Sequence, residues 1–124
     1  MTGMLDRMWI VLGALTGLTG VAMAALAAHG LSSLDPAALR MVDSAVQVQG
    51  WHAPALVLAG LWARRGGPLA HLAGAAFALG TLSFCAAVYL RALSGVSLGL
   101  VAPAGGLLLM LGWALLGLSA LNAR

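Results

Sequence analysis

A chain of 124 residues has room for one compact domain, residues 1–124. Hydrophobic residues make up 62% of it and charged residues 7%, against about 25% charged in an ordinary soluble domain, so a water-compatible surface cannot be built and a membrane protein is expected. The same composition excludes several functions: six basic side chains with only Arg64 and Arg65 adjacent are no nucleic-acid footprint, the lack of Lys and Glu rules out a lysine Schiff base and an HExxH zinc site, and the lone Cys85 cannot form an intrachain disulfide.

Residues 8–34, 44–63, 66–90 and 92–123 carry no Asp, Glu, Lys or Arg, and each run is long enough to cross a ~30 Å hydrocarbon core in about 20 helical residues. The fold expected is all-α, an integral membrane four-helix bundle with up-down-up-down order and spans at about 8–29, 44–64, 69–91 and 98–121. Along the first span Gly13, Gly17, Gly20, Ala24 and Ala28 fall on one helix stripe, a seam for close helix approach. Small residues around Ala22 to Ala27 also resemble a signal-peptide cleavage site, although the apolar run is longer than such segments usually have.

Asp35 followed by Pro36 is a helix start, a side-chain cap before a residue that needs no backbone donor. The second span holds Gln47, Gln49, His52 and Pro54; Gln49 and His52 share a face, and Pro54 is expected to kink the helix. Arg64-Arg65-Gly66-Gly67-Pro68 reads as a tight turn ending one helix and starting the next. Thr81, Cys85 and Tyr89 recur every four residues on the third span. Pro103 opens the fourth or lies one turn inside it, and Gly105, Gly112 and Ser119 form a second seam.

An even number of spans puts both termini on one side with the Arg64-Arg65 turn. That side gathers Arg7, Arg64, Arg65 and Arg124 against Arg40 and Arg91 opposite, so the positive-inside bias favours cytoplasmic N- and C-termini. Alternation of the spans also collects His29, Gln49, His52, Cys85, Tyr89, Pro103, Gly105 and Gly106 in the half away from the termini. Polar groups in hydrocarbon need partners, so a buried polar cluster centred on His52 is expected there. Trp9, Trp62 and Trp113, with His71, fall to the other half as anchors or packing residues. None of Asp6, Asp35 and Asp43 is expected at mid-membrane.

The segments Ala24-Ala25-Leu26-Ala27-Ala28-His29-Gly30, Gln49-Gly50-Trp51-His52, Leu79-Gly80-Thr81 through Tyr89, and Pro103-Ala104-Gly105-Gly106 through Gly112-Trp113 resemble, in order, the hallmarks of the YgdD-like small inner-membrane proteins. The likeness covers nearly the whole chain. Val48 stands where the family pattern has Tyr, and Cys85-Ala86-Ala87 replaces Ser-Gly-Ser. The resemblance implies a multi-pass protein of the bacterial inner (plasma) membrane and marks His29, Gln49, His52, Tyr89, Pro103, Gly105, Gly106 and Trp113. It implies no activity, because the family is itself uncharacterised.

The role expected is non-enzymatic, structural, accessory or lipid-associated, with no catalytic residue, no cofactor and no metal. Membrane lipids are the expected partners, with a partner membrane subunit or a second copy left open. The alternative is a cofactor-carrying redox subunit with His29 and His52 as ligands, since imidazole suits iron, copper and zinc, or a quinone- or lipid-binding subunit.

Overall fold

The computed structural model describes residues 2–123 and has three helices, α1 (Thr2–His29), α2 (Pro36–Ser94) and α3 (Val101–Leu121). The expected four-helix bundle is therefore corrected to three helical elements, each long and apolar enough to cross a membrane. The correction arises at Arg64–Pro68. Where a tight turn between two helices is expected, the helix runs into and out of the segment, and only Gly67, at φ 61 and ψ −147, leaves helical geometry. Glycine reaches that positive φ without steric cost, and Pro68 after it lacks the donor a continuing ladder would require, so a single residue makes the bend.

A straight helix of 59 residues would be about 88 Å long at ~1.5 Å per residue, nearly three hydrocarbon thicknesses. Instead, the two arms of α2 on either side of Gly67 fold back on one another. His52 of the first arm lies with its ring centroid 5.7 Å from that of Phe77 on the second, and the Cys85 thiol reaches the Ala45 carbonyl at 3.5 Å. Through Pro54 the backbone keeps helical dihedrals. Helices α1 and α3 both pack on α2, and among the described residues they do not approach one another. Contacts between Asp6 and Arg64 and between Trp62 and Ser119 bring the start of α1, the bend and the end of α3 to one end of the molecule. Arg124, counted above among the charges of that end, lies outside the described residues.

Local signals explain the remaining ends. The Asp35 carboxylate accepts from the Ala38 amide at 2.7 Å and Pro36 is the first helical residue. Gly95, at φ 75, closes α2 by donating its N–H to the Arg91 carbonyl, and Pro103 sits in the first turn of α3, where no donor is needed.

The interior is built from small residues. Ala45, Ala53, Ala55, Ala59, Ala63, Ala70 and Ala73 are buried, whereas Val21, Leu61, Leu82, Leu107 and Met110 point outward. This inversion suits hydrocarbon solvent, in which burying Leu gains nothing and close backbone approach gains dispersion contacts. On the first seam, Gly13 faces the Ala53 carbonyl and Val57, and Gly20 faces Gln49, but Ala24 and Ala28 are exposed, so the seam works over its first half. On the second seam, Gly105, Gly112 and Ser119 are all buried. Trp9, Leu56, Phe77 and Leu109 fill the core between the helices.

Candidate functional site

The polar residues of the membrane interior form two short hydrogen-bond chains that leave α2 in different directions. The first is centred on Gln49, 6% exposed. Its amide donates to the Thr16 carbonyl at 3.0 Å and the Thr19 hydroxyl at 2.6 Å on α1, and its carbonyl oxygen accepts from the Tyr89 hydroxyl at 2.7 Å on the second arm. Thr19 and Thr16 donate in turn to the carbonyls of Leu15 and Leu12 one turn back, as Ser and Thr do inside helices. Gln49 thus uses both donors and its acceptor to tie three helical segments together. Tyr89→Phe should leave the Gln49 oxygen unpaired and lower stability by about 1 kcal/mol, within the range of single interhelical bonds in membranes; reversible unfolding in detergent measures it.

The second chain runs to α3. The Trp113 indole donates to His52 Nε2 at 3.0 Å, and His52 Nδ1 donates to the Val48 carbonyl at 2.6 Å. The roles are fixed by chemistry, because an indole can only donate and a carbonyl can only accept. His52 is therefore the neutral tautomer protonated at Nδ1, with both ring nitrogens engaged. Phe77 and Trp113 stack edge-on at 5.1 Å beside it.

Of the residues expected to meet, the structure joins Gln49, Cys85 and Tyr89 on one side of α2 and places His52 next to them facing α3. Gly105 packs against the backbone of Gly80 and Phe84, serving the helix contact without joining the polar chain. His29 does not join the cluster: it is the exposed last residue of α1. Pro103 is also exposed and Gly106 only half-buried, so these three are corrected out of it. The physical reason is that α1 and α3 flank α2 without touching, so residues at one level on those two helices have no common space. For a haem or metal, His29 is not beside His52, and His52 has no free lone pair unless it breaks the bond from Trp113.

Sequence reasoning missed Trp113 as a partner of His52, the part played by Thr19, and a second polar group at the bend. There Trp9 donates to His71 Nδ1 at 3.0 Å, and the buried carboxylate of Asp6 lies 3.6 Å from His71 Nε2 and 3.5 Å from Arg64 Nε. Trp62 donates to Ser119 at 3.0 Å, so Trp9, Trp62 and Trp113 all bond across helices. Their indole donors, in a chain short of polar acceptors, were the available signal.

Between α1 and the second arm of α2 runs a lateral groove of about 550 Å³, with Leu12, Met23, Leu79, Leu82 and Ala86 along its walls and Gln49 and Tyr89 in its lining. Most of its polar wall atoms belong to the Gln49 chain and are already bonded to one another. The Thr81 hydroxyl is the exception, buried without a partner among the described residues.

A family model described as a protein of unknown function (DUF423) matches residues 23–106. The chain is similar to a UPF0382 membrane protein of Haemophilus influenzae, 34% identical over 107 residues that cover 85% of this chain and 86% of the relative. It is 32% identical over 115 residues to a UPF0382 membrane protein of Staphylococcus haemolyticus, covering 91% and 94%. To the UPF0382 inner membrane protein YgdD of Escherichia coli it is 30% identical over 124 residues, covering 98% and 95%. No solved structure matches the chain.

Proposed function

The chain belongs to the DUF423 family of small membrane proteins, and from that premise we propose that it is a non-enzymatic, lipid-holding protein whose lateral groove takes an acyl chain from the surrounding bilayer. Three helices apolar enough to cross a membrane, together with a relative named an inner membrane protein, fit a bacterial inner-membrane protein. Its cytoplasmic side is the end that carries both helix termini and the bend, because Arg7, Arg64 and Arg65 gather there.

The observation that carries the reading is the groove between α1 and the second arm of α2. Its volume of about 550 Å³ is within the range of small-molecule sites, its walls are hydrocarbon, and its mouth opens between two helices whose outward faces are apolar. Gln49, Tyr89 and Thr19 close one part of the wall with bonds made to each other, so they hold the groove's shape. The Thr81 hydroxyl, without a partner among the described residues, lies behind the same wall.

Ala86 is exposed and lines the groove, so Ala86→Trp should fill it while leaving the helix contacts intact. Protein extracted in polymer discs and weighed by native mass spectrometry is expected to retain about one phospholipid fewer per chain in the variant than in the wild type, at equal melting temperature. Equal retention by both proteins would overturn the groove as the holding site.

A further inference from the structure

The cavity at the bend of α2 is separate from the groove and does not depend on it. On α1, Trp9 lies between Asp6 and Leu12; on the second arm, Gly74, packed against the Trp9 ring, lies between His71 and the groove wall. The cavity has a volume of about 350 Å³, and Gly3, Ala63, Gly67 and Pro68 line it along with Asp6, Arg64 and His71. Small residues leave this space next to a charged group.

Asp6 is 7% exposed, and neither of its carboxylate oxygens has a hydrogen-bond partner among the described residues. A buried carboxylate without donors is costly. The two nearby donors do not remove that cost: Arg64 Nε at 3.5 Å and His71 Nε2 at 3.6 Å stand well beyond the ~2.7–2.9 Å of charge-assisted bonds. His71 brings no charge, because its Nδ1 accepts the Trp9 indole proton and its single proton must then sit on Nε2. The same proton blocks Nε2 as a metal ligand, and no group of three metal-ligating side chains occurs among the described residues. The unpaired Asp6 oxygens suit a small cation that itself donates hydrogen bonds, which describes a primary ammonium.

Arg64 supplies the second half of the recognition. Its side chain is 84% exposed at the mouth of the cavity next to the exposed Arg65, so the guanidinium can turn toward an anion while its stem stays on the helix. A buried anion with an exposed cation at its entrance is the complement of an ammonium tethered to a phosphate. We propose that this cavity binds the headgroup of an ethanolamine phospholipid, its ammonium on the Asp6 carboxylate and its phosphate on Arg64.

The test uses the full chain in lipid nanodiscs containing phosphatidylglycerol with equal phosphatidylethanolamine or, separately, phosphatidylcholine, with retained lipid counted by native mass spectrometry. Phosphatidylethanolamine is expected to be enriched at least fivefold over phosphatidylcholine, whose quaternary ammonium has no N–H to donate. Asp6→Asn should abolish the enrichment. Should that variant fold poorly, Gly3→Leu serves instead, because a side chain at Gly3 meets nothing within 4 Å and would occupy the cavity with Asp6 intact; it too should abolish the enrichment. Equal retention of the two lipids, or enrichment that survives both substitutions, would overturn the site. Binding of soluble phosphoethanolamine without enrichment of the phospholipid would overturn the lipid as its source. The Ala86→Trp variant, which fills only the groove, should keep the enrichment.

Discussion

Gly105→Ala and Gly106→Ala, one residue apart, are expected to move stability in opposite directions. A Cβ on Gly105 would stand 2.6 Å from the Phe84 amide nitrogen and 2.9 Å from the Gly80 carbonyl oxygen. Both are backbone atoms of the second arm and cannot rotate away, so α3 must shift outward and its seam from Gly105 through Gly112 to Ser119 loosens. The cost expected is about 2–3 kcal/mol, at the upper part of the range for overpacked cores. A Cβ on Gly106 meets nothing within 4 Å, and there alanine gains up to about 1 kcal/mol from helix propensity alone. Reversible unfolding of both variants in mixed detergent micelles measures the pair. Equal effects would mean that α3 does not lie on the second arm as described.

The contrast marks what could be read from the chain alone. The apolar runs and the Asp35-Pro36 start are settled by residues within one helical turn of each other, and both are legible. Gly105, Gly112 and Ser119 were legible too, because a seven-residue repeat fixes a face whatever packs on it. The Arg64–Pro68 segment reads as a tight turn separating two helices because glycine and proline mark a break without saying how many residues leave the helix; Gly67 alone does. For the candidate site, alternation fixed the level of Gln49, Cys85 and Tyr89 but said nothing about rotation. His29 and Pro103 lie on helices that never meet, and no periodicity within a single span carries that information. Trp113 illustrates the same limit, since its indole is expected as an anchor or packing residue in the half of the termini, whereas its bond to His52 depends on a rotation that the sequence does not give. Asp6 is expected only to lie away from mid-membrane, and its placement beside His71 and Trp9 is what reveals a buried carboxylate.

His52→Ala should remove about 2–4 kcal/mol of stability, the largest loss expected from any single polar side chain in the interior. Two effects add. Deleting the ring leaves the Trp113 indole N–H without its acceptor, worth about 1 kcal/mol in a membrane setting, and opens a void against Phe77 and Trp113, whose rings lie 5.7 and 5.8 Å from it; truncations of that kind carry a cavity cost on top of the lost contacts. Trp113→Phe separates the two, keeping most of the ring packing while deleting the donor, and should lose about 1 kcal/mol. Because the bond is shared, the double variant should be about 1 kcal/mol less unstable than the sum of the singles. A thermal melt in detergent across the four proteins closes the cycle. An unchanged melting temperature for His52→Ala would show that the histidine does not fasten α3 to α2. If His52→Ala lowers the melting temperature but leaves lipid retention at the wild-type level, the histidine belongs to the frame that shapes the groove and not to the surface that holds the lipid. That outcome is expected, since His52 faces α3 and the groove lies on the side of α1.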